Sequence, residues 1–271
     1  MKEPLAVDKK TLREMEFHNR WAKSIDLGSL LIRENFESPS AFENHYALEE
    51  LGDLAGKSIL DLGCGAGESS VYFALQGADV YAYDIAEEML KVADALAHKY
   101  NVKLKFAHGN AAHLPYEDDR FDFVYGNGVL HHVDLLPVMK EVRRVLKKGG
   151  KAIFVEPLAY NPLIAVYRHI AKEVRTKDES PLRFKDMKQL ETTFSQFRHR
   201  EFWLFSLFIF VHFFLIKRWH PSNVRYWKKV IEEGYNYEQY IRILRRLDET
   251  LLKVFPFLKF LCGDTVLVAV K

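Results

Sequence analysis

The residues of this chain best placed to do chemistry follow three apolar runs. The first is the glycine turn Gly63-Cys-Gly-Ala-Gly67, which comes directly after Ile59-Leu-Asp-Leu62. Glycine tolerates a positive φ and lets a ligand approach the backbone closely. The second is Asp84, at the end of the next apolar run, and the third is the pair His131-His132. A carboxylate can accept ribose hydroxyls, and imidazole exchanges protons near neutral pH. Together they indicate a cofactor site with a candidate base.

Each of these residues also has a purely structural interpretation. Any sharp strand-to-helix turn can carry glycine, and Asp84 is compatible with a sole role as N-cap of the following helix. Cys64 is predicted to pack rather than react, and the two histidines have the alternative of packing in their loop. Glu156, which ends a later apolar run, is a further candidate base whose alternative role is to cap the next loop.

The elements that must position these residues alternate along the chain. Short apolar runs separate amphipathic stretches of helical length, a pattern typical of βαβ units and of a doubly wound α/β sheet with helices on both faces. Ligands bind at the carboxyl edge of such sheets. The predicted strands are 58–62, 79–83, 103–107, 121–125, 151–155, 201–208 and 264–270, and the predicted helices of the core are 68–76, 87–99 and 135–146.

A chain of 271 residues suits a single domain of this kind. The pattern divides it into N-terminal helices over residues 1–55, a cofactor-binding core over 56–157, a substrate cap with the sixth strand over 158–258, and the last strand over 259–271. Within the cap the alternation of strands and helices breaks down, which predicts a helical insertion over the carboxyl edge of the sheet.

The spacing of the glycine turn separates two classes of cofactor. A dinucleotide fingerprint requires a small residue three places after its second glycine, and here that place, counted from Gly65, holds Glu68. A charged side chain there would meet a pyrophosphate and spoil close packing between helix and strand. The turn therefore favours a cofactor without phosphates, and a nucleotide-dependent oxidoreductase is the alternative that it disfavours.

Five ordered motifs between Lys57 and Pro157 resemble the class I S-adenosylmethionine-dependent methyltransferases, in the branch that includes the ubiquinone and menaquinone methyltransferases. They are the glycine turn, Asp84, and the segments 109–116, 121–133 and 146–157. The resemblance implies a Rossmann-like, seven-stranded sheet in the order 3-2-1-4-5-7-6, with strand seven antiparallel. It also implies S-adenosyl-L-methionine as methyl donor and S-adenosyl-L-homocysteine as product.

The resemblance further implies which residues hold the cofactor. Many relatives carry aspartate where this chain has Asn110, whose amide can either accept from or donate to the adenine. Trp21, in the first helix, is a candidate to close over the cofactor, with simple packing as its alternative. The implied contacts are Asp61, Gly63, Cys64, Gly65 and Gly67 around the methionine portion, Asp84 at the ribose, Ile85 and Met89 against adenine, Asn110 and Ala111 at its edge, and Asn127 at the methionine amino group.

Methyl transfer from a sulfonium is a direct displacement, in which alignment and exclusion of water contribute most of the catalysis. A base is needed only if the acceptor must lose a proton, and the candidates are His131, His132 and Glu156. A non-catalytic scaffold that binds the cofactor is the second alternative function.

The composition of the chain limits the classes of partner and ligand that it is expected to bind. With 39 Lys and Arg against 37 Asp and Glu, the net charge of +2 is too small to indicate nucleic acid. The two cysteines and the histidines show no metal-ligand spacing, so no metal is predicted. Many aromatic residues between 194 and 214 favour a small-molecule acceptor that is apolar, aromatic or lipid-like. The beginning of the sequence lacks the pattern of a signal peptide, which predicts a cytoplasmic location.

The long apolar run from Phe202 to Ile216 has two interpretations. It is too short for a spanning helix. It is predicted either to enter the core, as the sixth strand and a cap helix, or to contact a membrane surface peripherally, because Lys217 and Arg218 follow it directly. The segment that would contact the membrane surface is 202–220. Nothing in the sequence indicates an oligomeric state.

Overall fold

The protein is described by a computed structural model for residues 9–170 and 179–271. Within these residues, seven strands form one mixed sheet in the order β3-β2-β1-β4-β5-β7-β6. This order confirms the predicted topology. The strands are β1 (Ser58–Leu62), β2 (Asp79–Asp84), β3 (Lys105–His108), β4 (Phe121–Asn127), β5 (Leu146–Pro157), β6 (Gln196–Phe202) and β7 (Asp264–Val270).

The first five strands in the chain pair in parallel, whereas β7 is antiparallel to both β5 and β6. Every residue of β1 is buried, because a central parallel strand is covered by helices on both faces. The amides of Gly63 and Cys64 donate to the carbonyl oxygen of Tyr83 at 2.7 and 3.0 Å. The ends of β1 and β2 are therefore joined, and the glycine turn and Asp84 meet at the carboxyl edge.

Helices cover the sheet and its edge. The crossover helices α4, α5 and α6 follow β1, β2 and β4, and α1 packs against α5. The helices are α1 (Lys9–Ala22), α2 (Glu34–Glu37), α3 (Phe42–Leu51), α4 (Glu68–Leu75), α5 (Glu87–Lys99), α6 (Leu135–Val145), α7 (Pro162–Ile170), α8 (Phe184–Lys188), α9 (Ile209–Leu215), α10 (Tyr226–Glu232) and α11 (Glu238–Val254).

The predicted position of the sixth strand, 201–208, was wrong. Strand β6 spans Gln196–Phe202 and pairs along its whole length with β7, from Gln196 opposite Val270 to Phe202 opposite Asp264. It lies at the edge of the sheet, so its sequence is mixed rather than continuously apolar. The apolar run on which the prediction was based begins at Phe202, where this strand ends.

The apolar run belongs mostly to the core of the cap. Trp203, which adopts a positive φ of 65°, turns the chain away from the sheet, and Asp248 of α11 accepts the backbone amides of residues 204–206. Phe213 of α9 is fully buried, whereas Ile216 is 69% exposed. In the described parts of the chain, no helix combines the length and the hydropathy needed to cross a membrane.

Candidate active site

The three glycines of the turn differ in what surrounds them. All have a positive φ, of 69° at Gly63, 52° at Gly65 and 86° at Gly67. A Cβ added at Gly63 would lie 2.5 Å from a methyl of Val129, and one at Gly67 would lie 2.6 Å from the Cβ of Ala93. A Cβ at Gly65 would meet nothing within 4 Å. Gly63 and Gly67 are therefore required for packing, whereas Gly65 faces open space.

Asp84 closes one side of this space. Its Oδ2 accepts the amide of Gly65 at 2.9 Å, and its Oδ1 accepts the amide of Ala86 at 2.8 Å. Burial raises the pKa of the Asp84 carboxyl, while these backbone amides favour the charged form. Asp84 thus holds the glycine turn and the start of α5 together and also lines the cavity.

Asp61 lies on the other side of the turn. It is buried in the centre of the sheet, and its Oδ2 accepts the hydroxyl of Ser70 at 2.5 Å. Burial raises the pKa of Asp61 to about 7. Asp61 and Asp84 therefore bring two acidic side chains to the cavity that Gly65 also lines.

The loop after β3 forms a further wall. Asn110 uses its side-chain oxygen to accept the amide of Ala112 at 2.9 Å. Asn110 can therefore offer its amide nitrogen to a ligand as a donor, and its oxygen keeps a second lone pair as an acceptor. Ile85 and Ala111 line the same part of the cavity, and Asn127 lines it at the end of β4.

Two of the predicted contact residues lie behind the cavity wall. Gly67 packs against α5, and Met89 is buried in a small cluster with Ala22 and Ala86. Trp21 packs against the same cluster and reaches the cavity, where the guanidinium of Arg225 lies 4.0 Å from its ring centroid. The predicted cofactor residues that line the cavity are Trp21, Asp61, Gly63, Cys64, Gly65, Asp84, Ile85, Asn110, Ala111 and Asn127.

Glu156 organises the loop after β4. Its Oε1 accepts the amides of Val129 and Leu130 at 2.8 and 2.6 Å, and its Oε2 lies 2.7 Å from Nδ1 of His131. Glu156 is fully buried, and it caps the loop after β4 rather than the loop that follows it in the chain; it also orients His131. Burial lowers the pKa of His131, against the opposing effect of Glu156. A neutral His131 that donates from Nδ1 has Nε2 as its acceptor.

His132 approaches the N-terminal helix. Its Nδ1 lies 3.1 Å from Oε2 of Glu14, and the same oxygen lies 3.8 Å from Nε2 of His18. The rings of His131 and His132 are 4.0 Å apart. All three candidate catalytic residues, His131, His132 and Glu156, line the cavity. The structure thus places them together, at the end that α1 covers.

Sequence reasoning missed several residues of the site. Glu68 lines the cavity, where it accepts the amide of Leu31 at 2.7 Å and the side chain of Asn35 at 3.2 Å. It therefore ties the N-terminal segment to the glycine turn. Glu14 was also missed; its only signal was its position one helical turn before His18.

The cavity has a volume of about 1600 Å³. Pockets for one small molecule are typically about 300–1,000 Å³, so this cavity can hold a cofactor and an acceptor together. Its walls come from α1, the glycine turn, the loops after β3 and β4, and α10. Its apolar and charged walls suit a ligand with both kinds of surface.

Comparison with known proteins relates the central part of the chain to methyltransferases. Residues 60–154 match a protein family described as "Methyltransferase domain". A demethylmenaquinone methyltransferase of Lactococcus lactis is 36% identical over 139 residues, which are 49% of this chain and 54% of that protein. A sterol 24-C-methyltransferase of Gibberella zeae is 34% identical over 134 residues, 48% of this chain and 35% of that protein.

The chain spans about half the length, or less, of these curated relatives. Similarity of fold covers more of the chain than similarity of sequence does. The solved structure of the YcgJ protein from Bacillus subtilis matches with a TM-score of 0.52 at 20% identity, covering 84% of this chain and 97% of that one. The similarity in sequence is thus concentrated in the half of the chain that carries the glycine turn, Asp84 and the histidine pair.

Proposed function

We propose that the protein transfers the methyl group of S-adenosylmethionine to a small, apolar acceptor, since residues 60–154 match a family described as a methyltransferase domain. The observation that carries the proposal is the open space at Gly65, in a cavity that two buried carboxylates also line and that is large enough for two ligands.

The residues around the open space fit this cofactor. Gly65 leaves room for the methionine portion next to the backbone, and Asp84 offers a carboxylate to the ribose hydroxyls. The amide nitrogen of Asn110 can donate to a ring nitrogen of adenine, while its oxygen accepts the amide of Ala112. Glu68 stands where a dinucleotide fingerprint requires a small residue, which counts against a dinucleotide.

The residues beyond the cofactor supply alignment and a base. S-adenosylmethionine, when bound, supplies a methyl group already activated by a sulfonium. The chain must hold the acceptor in line and keep water out, which can lower the barrier by roughly 7–11 kcal/mol. His131, oriented by Glu156, is in our proposal the group that takes a proton from an acceptor that carries one. Glu156 acts through His131 and is a positioning residue.

The acceptor class follows from the walls and from the relatives. Tyr167, Trp227 and Ile231 of the cap line the cavity with apolar surface. The names of the two curated relatives specify a quinone precursor and a sterol as their methyl acceptors. We therefore propose an aromatic or lipid-like small molecule rather than a nucleic acid or a protein tail.

The proposal is tested with the purified full chain in calorimetry and in a turnover assay. We expect it to bind S-adenosylmethionine but not NAD, and to release S-adenosylhomocysteine with an acceptor from a panel of demethylated quinols, sterols and phenols. His131→Ala should keep its affinity for S-adenosylhomocysteine and lose about 10²–10⁴-fold in kcat. His98→Ala, on the exposed face of α5, is the matched control.

Two results would contradict this assignment. Binding of NAD in place of S-adenosylmethionine would restore the oxidoreductase alternative. Cofactor binding without turnover of any acceptor would instead support the scaffold. Unchanged turnover in His131→Ala would show that His131 is not a general base and that alignment of the acceptor accounts for the catalysis.

We also propose that the cap contacts an anionic membrane surface through an apolar tip, defined as Phe214, Leu215 and Ile216. These side chains are 45%, 62% and 69% exposed at the end of α9. Lys217 and Arg218 follow directly, and a cation near an anionic bilayer contributes about 1 kcal/mol. An apolar tip with adjacent cations is what an interfacial segment presents to lipid headgroups. A lipid-like acceptor would then be taken from the bilayer.

Sedimentation with vesicles that contain phosphatidylglycerol tests the tip. We expect binding at low salt that weakens at high salt, and further weakening in the double variant Leu215→Ser and Ile216→Ser. Phe213 is unsuitable as a probe, because it is fully buried and its loss would damage the core. Leu136→Ser, at an exposed position on α6, is the control and should bind like the wild type. Absence of sedimentation at every salt concentration would refute the contact.

A further inference from the structure

We infer that Glu14, His18 and His132 form a binding site for a divalent transition-metal ion at the acceptor end of the cavity. Each offers one ligand atom, and the three atoms lie within 4.8 Å of one another. Glu14 and His18 come from α1, and His132 comes from the loop after β4. The site therefore depends on the packing of α1 over the edge of the sheet.

The distances between the ligand atoms are compatible with a shared metal ion. Oε2 of Glu14 is 3.1 Å from Nδ1 of His132 and 3.8 Å from Nε2 of His18. Ligand atoms about 2.1 Å from a tetrahedral ion are separated by about 3.4 Å, which falls between these values. Nδ1 of His132 is buried, and no hydrogen bond to it is formed among the described residues although Glu14 is so near. A shared ion would satisfy this nitrogen.

The surrounding residues hold the ligands in place. Glu14 and His18 stand one helical turn apart and therefore on the same face of α1. His132 is fixed through its neighbour His131, whose Nδ1 is held by Glu156 at 2.7 Å. His131 and Glu179 approach the other side of His132. They are not included in the site because Glu156 engages His131 and Arg168 pairs with Glu179 at 2.7 Å.

The ligand set defines the class of ion and its use. Two imidazoles and one carboxylate suit zinc, iron, cobalt or nickel more than magnesium or calcium. Three protein ligands leave a position open, as in catalytic rather than structural metal sites. All three residues line the cavity, so the open position would take an oxygen of the acceptor. This last role rests on the proposed function, whereas the ion site itself does not.

Titration of the full chain with Co²⁺ tests the site, because a four-coordinate Co²⁺ complex absorbs visible light strongly. We expect one equivalent to bind, and His18→Ala, His132→Ala and the isosteric Glu14→Gln each to weaken affinity at least about tenfold. The control is His98→Ala, which removes a histidine 3.7 Å from Asp94 on α5 in the same i,i+4 arrangement but exposed to solvent. It should bind Co²⁺ like the wild type.

Calorimetry with S-adenosylhomocysteine on the same samples reports the cofactor site and the fold independently. Loss of Co²⁺ binding with unchanged affinity for S-adenosylhomocysteine supports the ion site. Absence of Co²⁺ binding by the wild type, or equal affinity in wild type and all three variants, overturns it and leaves the proposed methyltransferase function untouched.

Discussion

Gly65→Val is expected to abolish binding of S-adenosylmethionine while the protein stays folded. The added side chain would enter the open space beside Asp84, where no protein atom lies within 4 Å of a Cβ. A branched side chain there takes the room of the methionine portion. It also strains a backbone whose φ is 52°, at a cost of roughly 1–2 kcal/mol. Calorimetric titration with S-adenosylmethionine and thermal unfolding measure the two effects.

The chain offers a matched control for the strain. Gly56 has a φ of 69° and an equally open surrounding, but it lies in the loop between α3 and β1. Gly56→Val should be destabilised like Gly65→Val and should bind the cofactor normally. Gly67→Val is less informative, since its side chain would collide with Ala93 and disturb the packing of α4 on α5. Normal cofactor binding by Gly65→Val would disprove the proposed location of the site.

Asp84→Ala is expected to weaken cofactor affinity at least tenfold. The carboxylate is proposed to accept two ribose hydroxyls, and hydrogen bonds to a charged group contribute about 1.5–3 kcal/mol each. The same carboxylate accepts the amides of Gly65 and Ala86, so its loss also loosens the turn that the cofactor contacts. Both effects act in the same direction, and calorimetry measures their sum.

Asp79→Ala is the matched control for this second experiment. Asp79 begins the strand that Asp84 ends and is exposed, with a salt bridge to Lys105 at 2.7 Å. Exposed ion pairs contribute about 0–1 kcal/mol, so this variant should keep both its fold and its cofactor affinity. Equal affinity in Asp84→Ala and Asp79→Ala would show that Asp84 has only a structural role at the start of α5.

The core of the fold could be predicted because its signals are local. Most parallel strands of the core are short apolar runs, crossover helices follow β1, β2 and β4, and right-handed connections leave few ways to arrange such units. The last strand, Asp264–Val270, was predicted at its observed bounds for the same reason. The glycine turn and Asp84 stand at strand ends, and parallel strands bring their ends to one edge.

The cap was harder to predict because burial in it depends on distant partners. The run from Phe202 to Ile216 has the composition of a buried strand throughout. Only the packing of α9 against α10 decides that Phe213 is enclosed while Phe214 is exposed. The strand lies earlier, over Gln196–Phe202, since an edge strand that pairs with one neighbour carries a weaker apolar pattern.

The sequence by itself determined the class of fold and the position of the glycine turn at the end of the first strand, and Glu68 already disfavoured a pyrophosphate there. Only the tertiary structure decided that a side chain would collide with its neighbours at Gly63 and Gly67 but not at Gly65, and that Glu156 contacts His131. It alone joined Glu14 and His18 to His132, because α1 and the loop after β4 are far apart in the chain. The residues of a single helix or strand follow a periodic apolar pattern that can be seen in the sequence. A contact between two elements depends instead on how whole helices pack.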